Sequence, residues 1–173
     1  MKIKEVNVAD IPQVARVQVN TWRTAYKGIV SAEYLDSLSY EQSEERMGQL
    51  FAEGDKFCYV AQDASGKIAG FAVGGRERTN NPNYKGELYA LYVLAEHQGK
   101  GTGRLLFMAV ARRLQSMGIN SMLVWVLTAS PYRRFYEKLG GKELEKTFVD
   151  VGKEKYEVVS YGWDDLSLLL REA

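Results

Sequence analysis

The chain has 173 residues, of which 46% are hydrophobic and 26% charged, and its formal net charge is +1. This length suits one domain with its own core, so we expect residues 1–173 to form a single domain. The composition argues against a disordered chain, and the near-zero charge gives no overall field for capturing nucleic acid or an anionic membrane, so neither is an expected partner.

The single cysteine and the start of the chain bear on the compartment. Cys58 lies in an apolar run and has no second cysteine to pair with, so we expect it to be a small buried residue. Residues 1–6 lack the apolar core of a signal peptide, and no window approaches a membrane span, so we expect a cytoplasmic protein. One histidine and one cysteine cannot supply a typical zinc shell, and no metal is expected.

The first elements in chain order are a predicted strand and a predicted helix. Residues 2–6 alternate like a strand, and Asp10 followed by Pro12 is typical of a capped helix start. Apolar residues at helical spacing extend this helix to about Tyr26, and Gly28 then ends it.

Two further helices and a hairpin are predicted next. Ser31 is a candidate cap for a short second helix, and a polar start at Ser39 precedes a third amphipathic helix that ends near Gly54. The residues at 57–62 and 68–74 are typical of strands, and the polar turn between them predicts an antiparallel hairpin.

A near-continuous apolar run at residues 88–94 predicts a buried strand near the centre of the sheet. A glycine cluster follows, and then a helix that ends at Gly118. The side chains expected on the buried face of this helix are Leu105, Leu106, Ala109, Val110, Leu114 and Met117. A strand at 121–127, a short helix at 131–139 and strands at 142–149 and 155–161 complete the prediction.

Three glycines at alternate positions stand between the strand of residues 88–94 and the helix. The segment is His97-Gln98-Gly99-Lys100-Gly101-Thr102-Gly103-Arg104. Glycine lets the backbone amides approach a ligand, while the new helix adds unpaired N–H groups and its positive dipole end, so the turn is a candidate anion site. Taken alone, the glycines are explained equally well by a plain strand-to-helix turn.

Two common phosphate motifs do not fit this turn. The P-loop requires Ser or Thr directly after Gly-Lys, where this chain has Gly101. The dinucleotide motif G-x-G-x-x-G would place its third glycine on Arg104. Both nucleotide-binding classes are therefore disfavoured.

The turn resembles a motif of the GCN5-related N-acetyltransferases (the GNAT family). Residues 98–103 match that family's Gln/Arg-x-x-Gly-x-Gly/Ala pattern, and residues 135–140, Phe-Tyr-Glu-Lys-Leu-Gly, resemble its Phe-Tyr-x-Lys-x-Gly segment. The predicted order of elements also matches over most of the chain. Two positions depart from the pattern, because Ala129 and Tyr132 stand where the family often has Asn and Ala. Ala129 lacks the side chain with which the family's Asn contacts the cofactor.

The resemblance implies an α/β (α+β) fold with a mixed, mostly antiparallel sheet of about seven strands and helices on both faces. Two central strands would splay apart to form a coenzyme A cleft, with acetyl-CoA as cosubstrate. Arg133 and Arg134 could reach an outer phosphate, although solvated surface is the more ordinary role for them. The cofactor-binding residues implied in this way are Leu91, Tyr92, Val93, Gln98, Gly99, Lys100, Gly101, Thr102, Gly103, Arg104 and Tyr136.

Two residues are candidates for the chemistry. The resemblance places Tyr136 near the thioester sulfur, where its phenol could protonate the departing thiolate; a packed aromatic is the alternative. Glu87, at the start of the central strand, could take a proton from the acceptor through water, in which case Glu87→Gln should depress turnover. A solvated carboxylate at a strand start is the alternative for Glu87.

The acceptor is expected to be a primary amine of a small molecule or a peptide. Trp22 and Tyr26, one helical turn apart, correspond to a wall of the acceptor pocket in related enzymes, and a core-facing aromatic stripe is an equally good interpretation. Other hypotheses are transfer of another acyl group, or a coenzyme A-binding regulatory module that has lost catalysis. The resemblance also implies a homodimer as an option, because related folds often pair through their terminal strands.

Overall fold

The computed structural model describes residues 1–52 and 54–171. The strands are β1 (Lys2–Glu5), β2 (Lys56–Gln62), β3 (Ile68–Arg76), β4 (Gly86–Val93), β5 (Met122–Leu127), β6 (Lys142–Val151) and β7 (Glu154–Trp163). The helices are α1 (Ile11–Ala25), α2 (Ala32–Ser37), α3 (Tyr40–Ala52), α4 (Thr102–Ser116), α5 (Arg133–Lys138) and α6 (Leu166–Arg171), with short 3-10 helices at Val8–Asp10 and Ala95–His97.

The strands form one sheet in the order β1-β2-β3-β4-β5-β7-β6. Neighbouring strands run antiparallel except β4 and β5, which are parallel. The predicted mixed and mostly antiparallel sheet of seven strands is therefore confirmed. The parallel pair lies in the middle because the crossover from β4 through α4 returns the chain beside β4 in the same direction.

Helices cover both faces of the sheet, as predicted. On one face α4 packs over β2, β3 and β4, with α6 beside it, around a core that includes Leu106, Phe107, Leu114, Met122 and Leu166. On the other face α1 and α3 cover a second core that includes Ile11, Val14, Val17, Met47 and Phe71. The sheet is thus the middle layer of three.

Three details of the prediction were wrong. Asp10 precedes α1 but does not cap it, because its carboxylate accepts from Lys4 Nζ and from the Asn7 amide at 2.9 Å and so closes the preceding 3-10 turn. Leu105 is 47% exposed rather than buried, since α4 buries a neighbouring stripe through Phe107 and Ala111. The closing helix α6 was not predicted.

The two parallel strands pair for only part of their length. Their register joins Gly86 to Met122 and Leu88 to Val124, and no pairing between them continues beyond that point. On its other side β4 carries a bulge, since Val73 pairs with Ala90 and Gly74 pairs with Leu88, which leaves Tyr89 as an extra residue. A bulge bends and twists its strand, so β4 turns away from β5 where the pairing stops.

Gly74 is expected to be essential for the close packing of α4 on the sheet. A Cβ at this position would lie 2.7 Å from Val110 Cγ1 and 3.0 Å from the Phe57 ring, whereas a Cβ at Gly48 in α3 would meet nothing within 4 Å. We expect Gly74→Ala to lower the free energy of unfolding by about 1–3 kcal/mol through overpacking. Gly48→Ala, the matched control, should raise it by about 0.5–1 kcal/mol because alanine is the better helix former.

Urea unfolding followed by circular dichroism measures both changes. A Gly74→Ala protein as stable as the wild type would show that α4 can move away from the sheet at little cost.

Candidate active site

The gap between β4 and β5 opens into a cleft of about 400 Å³. This volume lies within the usual range for small-molecule sites. The walls come from α1 on one face of the sheet, from α4 and α5 on the other, and from the parted strands between them. The lining residues are Thr21, Ala25, Tyr26, Leu91, Tyr92, Val93, Gln98, Gly99, Gly101, Gly103, Arg104, Val126, Ser130, Tyr132, Phe135 and Tyr136.

The glycine turn forms one end of the cleft. Gly99 and Gly101 have φ values of 69° and 82°, in the left-handed region that favours glycine. Gly101 directly precedes α4, so the unpaired N–H groups of that helix begin at the cleft. Gly103 lies against the Phe135 ring, which a Cβ would approach to 3.4 Å. Backbone amides and a helix dipole therefore converge on this end, as an anion requires.

The basic residues near the turn do not all reach the cleft. Arg104 lines it. Lys100 does not, because its Nζ donates to the Glu96 carbonyl at 2.8 Å on the outer side of the turn. Thr102, which is 2% exposed, also lies outside the lining. Arg133 lies 3.9 Å from Glu137, and neither Arg133 nor Arg134 lines the cleft.

Tyr136 lies on the cleft wall and is 6% exposed. Its ring packs at centroid distances of 5.1 Å from Phe135, 6.4 Å from Tyr161 and 6.4 Å from Trp163, which fixes its position. Burial raises the pKa of the Tyr136 phenol above its ordinary value. The hydroxyl therefore stays protonated near neutral pH and can donate a proton.

The two aromatic residues of α1 have different surroundings. Tyr26 lines the cleft together with Tyr92 of β4, and burial raises the pKa of both phenols. Trp22 lies behind them, edge-on to Tyr26 at 4.8 Å and 5.9 Å from Tyr34, and is not part of the lining. Of the predicted acceptor pair, Tyr26 is thus in position to touch a ligand and Trp22 supports it.

Glu87 has surroundings that differ from those expected. It is 2% exposed, whereas the sequence predicts a carboxylate that reaches the acceptor through water or lies in solvent. One oxygen accepts from the Arg78 guanidinium at 2.5 Å and the other at 3.1 Å, and the Arg78 side chain lies 4.1 Å from the Tyr89 ring centroid. Glu87 is not part of the cleft lining, so its role as a base stays a prediction that the geometry does not favour.

Sequence reasoning missed six lining residues: Thr21, Ala25, Val126, Ser130, Tyr132 and Phe135. Tyr132 is the most informative, because its hydroxyl and Gln98 Oε1 are 3.2 Å apart, while Gln98 Nε2 donates to the Val93 carbonyl at 2.8 Å. This chain of hydrogen bonds, which we call the Tyr132 bridge, spans the gap between β4 and the segment after β5. The departure from the family pattern at Tyr132 was the available signal. Ala129, the other departure, is exposed and does not line the cleft.

Two classes of feature were searched for across residues 1–52 and 54–171. In that part of the chain there is no group of three or more His, Cys, Asp or Glu side chains that could hold a metal ion. None of the helices there is long and apolar enough to cross a membrane.

Comparisons with known proteins agree with this geometry. The family model described as FR47-like protein matches residues 74–149, which contain β4, the turn, α4 and α5. An uncharacterized N-acetyltransferase of Bacillus subtilis (strain 168), YuaI, is 36% identical over 167 residues, which cover 96% of this chain and 95% of that protein. The chain belongs to the GNAT family.

Solved structures show that the GNAT fold extends over nearly the whole chain. The PaiA N-acetyltransferase of Thermoplasma acidophilum, crystallised with coenzyme A, aligns with a TM-score of 0.72 at 22% identity, over 94% of this chain and 98% of that one. The yncA structure from Salmonella typhimurium, with its cofactor acetyl-CoA, aligns with a TM-score of 0.69 at 18% identity, over 96% and 94% of the two chains.

The Tyr132 bridge is expected to slow release of a ligand from this GNAT cleft. Tyr132→Phe removes the hydroxyl that meets Gln98, so release of coenzyme A should accelerate by about 2- to 10-fold, the effect of one neutral hydrogen bond. Tyr132→Ala also removes the ring and should accelerate it further. Stopped-flow displacement of coenzyme A measures the rate, and Val8→Ala, at an 82% exposed side chain outside the cleft lining, is the control.

A Gln98→Leu background tests whether the bond to Gln98 is responsible. If it is, Tyr132→Phe adds nothing further in that background. Release rates that are equal in the wild type, Tyr132→Phe and Tyr132→Ala would contradict the prediction.

Proposed function

We propose that this protein transfers an acetyl group from acetyl-CoA to a primary amine of a small molecule or a peptide. The observation that carries the proposal is the cleft, which runs from the glycine turn, past an unpaired strand edge, to the buried Tyr136 hydroxyl. These are the three features that a phosphate-bearing thioester requires: an anion cradle, a track for an extended arm, and a proton donor near the sulfur.

The residues present fit the cofactor. The open space above Gly99 and Gly101 and the start of α4 suit the pyrophosphate, with the Arg104 guanidinium beside them. The edge of β4 at Leu91, Tyr92 and Val93 has no neighbouring strand and would offer backbone groups to the pantetheine arm, except for the Val93 carbonyl, which accepts from Gln98. The cofactor supplies an activated acetyl group as its thioester. Lys100 and Thr102, by contrast, would contribute mainly through their backbone.

The chain's own residues would assist a direct transfer. The amine nitrogen bonds to the carbonyl carbon, the carbon–sulfur bond breaks, and the thiolate takes a proton from the Tyr136 hydroxyl. The amine releases one proton to solvent, and the Tyr136 phenolate takes one proton back from solvent. Tyr26 and Thr21 of α1 would lie on the acceptor side of the carbonyl. No covalent bond between enzyme and acetyl group is needed.

A binding module without catalysis is the second candidate, and Ala129 is the observation that favours it. Loss of the family's Asn removes a side chain that the resemblance places on the cofactor. Two observations oppose this candidate. Ala129 is exposed and lies outside the cleft lining, whereas its neighbour Ser130 lines the cleft. Tyr136 is also retained at the cleft wall. Thiol release separates the two candidates.

The test combines binding with turnover. Acetyl-CoA binding is measured by calorimetry, and thiol release is then measured over an amine panel for the wild type, Tyr136→Phe and Tyr161→Phe. We expect Tyr136→Phe to keep its affinity for acetyl-CoA and to lose about 100-fold in kcat, because only the proton donor is removed. Tyr161→Phe is the control, since its hydroxyl bonds Glu137 at 2.8 Å outside the cleft.

Each result has a defined meaning. Absence of acetyl-CoA binding at micromolar concentrations would refute the proposed cofactor. Binding without thiol release over the whole amine panel would favour the binding module. A Tyr136→Phe protein with wild-type kcat would show that acetyl transfer does not need the Tyr136 hydroxyl.

We further propose that two copies pair along β6. This strand ends the sheet order, its first nine residues are exposed, and Phe148 is 63% exposed. An exposed edge strand with apolar side chains is a template for pairing with another strand. Sedimentation should show a dimer that Phe148→Lys weakens, and a wild-type monomer at high micromolar concentration would contradict the proposal.

A further inference from the structure

The cleft lining has an unusual set of titratable groups for an enzyme that must acetylate an amine. Tyr26 comes from α1, Tyr92 from β4, Arg104 from α4, and Tyr132 and Tyr136 from α5 and the residue before it. β5 contributes only Val126. Among the described lining residues there is no carboxylate and no histidine, the side chains that usually remove a proton from an amine.

None of the lining tyrosines supplies a base at neutral pH. Burial raises the pKa of Tyr26, Tyr92 and Tyr136, so these phenols hold their protons and act as donors. The Tyr132 hydroxyl is joined to Gln98 in the Tyr132 bridge. The Arg104 guanidinium is positive and cannot accept a proton.

Four carboxylates on the neighbouring elements have partners of their own. Glu87 accepts from the Arg78 guanidinium and lies outside the cleft lining. On the hairpin and helix at the acceptor end, Lys153 bonds Glu33 at 2.6 Å, and Tyr156 donates to Glu154 at 2.8 Å. Glu137 of α5 accepts from Tyr161 at 2.8 Å. An ammonium in the cleft would therefore lose its hydration without gaining a counter-charge, which is costly.

One lining group has an unused hydrogen-bonding capacity. Thr21 is 5% exposed, and its Oγ1 has no partner in the described structure, whereas Thr24 of the same helix bonds the Asn20 carbonyl at 2.9 Å. A threonine in a helix usually satisfies its hydroxyl in the manner of Thr24. A neutral amine can both donate to and accept from such a hydroxyl, which an ammonium cannot.

We propose that the acceptor is a weakly basic primary amine, of the α-amino or aromatic class, which enters the cleft already neutral. The inference rests on the proposed acetyl transfer and specifies its substrate class. Strongly basic amines, such as lysine ε-amines and polyamines, are excluded because the cleft provides neither a base to deprotonate them nor an acid group to hold them.

The size of the expected preference follows from the neutral fraction. At pH 7 an amine with a pKa near 10.4 is neutral in about one molecule in 2,500, whereas an α-amine with a pKa near 8 is neutral in about one in ten. The difference is about 250-fold. The greater nucleophilicity of the stronger base offsets part of it, so we expect a preference of about tenfold or more at pH 7.

A pair of nearly isosteric acceptors tests the proposal on the wild-type enzyme. Phenethylamine and 2,2-difluorophenethylamine share one skeleton, and the fluorine atoms lower the amine pKa by induction without adding a donor. With acetyl-CoA saturating, we expect the fluorinated amine to have the higher kcat/KM at pH 7 and to lose its advantage by pH 10. As the pH rises, kcat/KM for each amine should increase and then level off near the pKa of that amine.

A second assay, with a peptide, distinguishes the two sources of a weakly basic amine, which are peptide ends and small molecules. A lysine-containing peptide is assayed once with only its α-amine free and once with only its ε-amine free. Acetylation of the α-amine alone identifies peptide ends as acceptors, whereas acetylation of the small amines alone identifies small molecules. Either result supports the inference.

Two results would overturn it. The first is equal use of both phenethylamines at pH 7, with kcat/KM levelling off at one fixed pH for every amine, because that pattern reports an enzymatic base. The second is a loss of about 100-fold or more in Glu87→Gln with unchanged acetyl-CoA affinity, which would identify Glu87 as that base. If acetyl-CoA binds but no amine is acetylated, the proposed function itself fails, and this inference fails with it.

Discussion

The rest of the structure depends on the point where β4 and β5 stop pairing, after Leu88 and Val124. A parallel pair in the middle of a sheet would normally continue and fill the centre with backbone hydrogen bonds. Here the bulge at Tyr89 turns β4 away, so beyond it β4 has no strand partner on that side, although the Val93 carbonyl accepts from the Gln98 side chain. Backbone groups without partners are costly where water is excluded, and a ligand that pairs with them removes the cost. The binding site is thus the part of the sheet where β4 and β5 no longer pair.

The packing around the gap keeps it open. On one side Gly74 lets α4 approach the sheet closely, and Gly103 lets the Phe135 ring lie against the start of that helix. On the other side, Arg78 and Glu87 form an ion pair in which the carboxylate is buried. This ion pair connects the paired part of β4 to the segment after β3. The half of β4 that pairs with β5 is therefore held by contacts on both sides, and the half that does not pair with β5 borders the cleft.

Much of the fold could be predicted from the sequence, because turn chemistry and hydrophobic periodicity are local signals. Ser31 does cap α2 through its side chain, and Gly54, Gly118 and Gly140 have the positive φ that a helix end requires. Asp10 was misjudged because its carboxylate binds Lys4 of β1 and the Asn7 amide, contacts that the sequence pattern of a helix start does not include. Leu105 was misjudged because α4 is apolar on more than one face.

The site was predictable only where a motif marked it. Residues 98–104 and Tyr136 were identified from short patterns, and most of them line the cleft. Glu87 was assigned from its place in the strand, but its partner Arg78 belongs to a loop whose path cannot be read from spacing. Thr21 and Ser130 carry no sequence signal, since serine and threonine are common in both helices and loops. Their significance comes from the parting of β4 and β5, whose paired residues Leu88 and Val124 are 36 positions apart in the sequence.

The walls of the cleft come from both faces of the sheet: Thr21 and Tyr26 belong to the α1 side, whereas Arg104 and Tyr136 belong to the side of α4 and α5. The cleft therefore has walls from both layers of helices. Under the proposed transfer, two molecules bound together would each have a wall of their own. In kinetic terms, such an arrangement suits a ternary complex, in which both reactants are present at once.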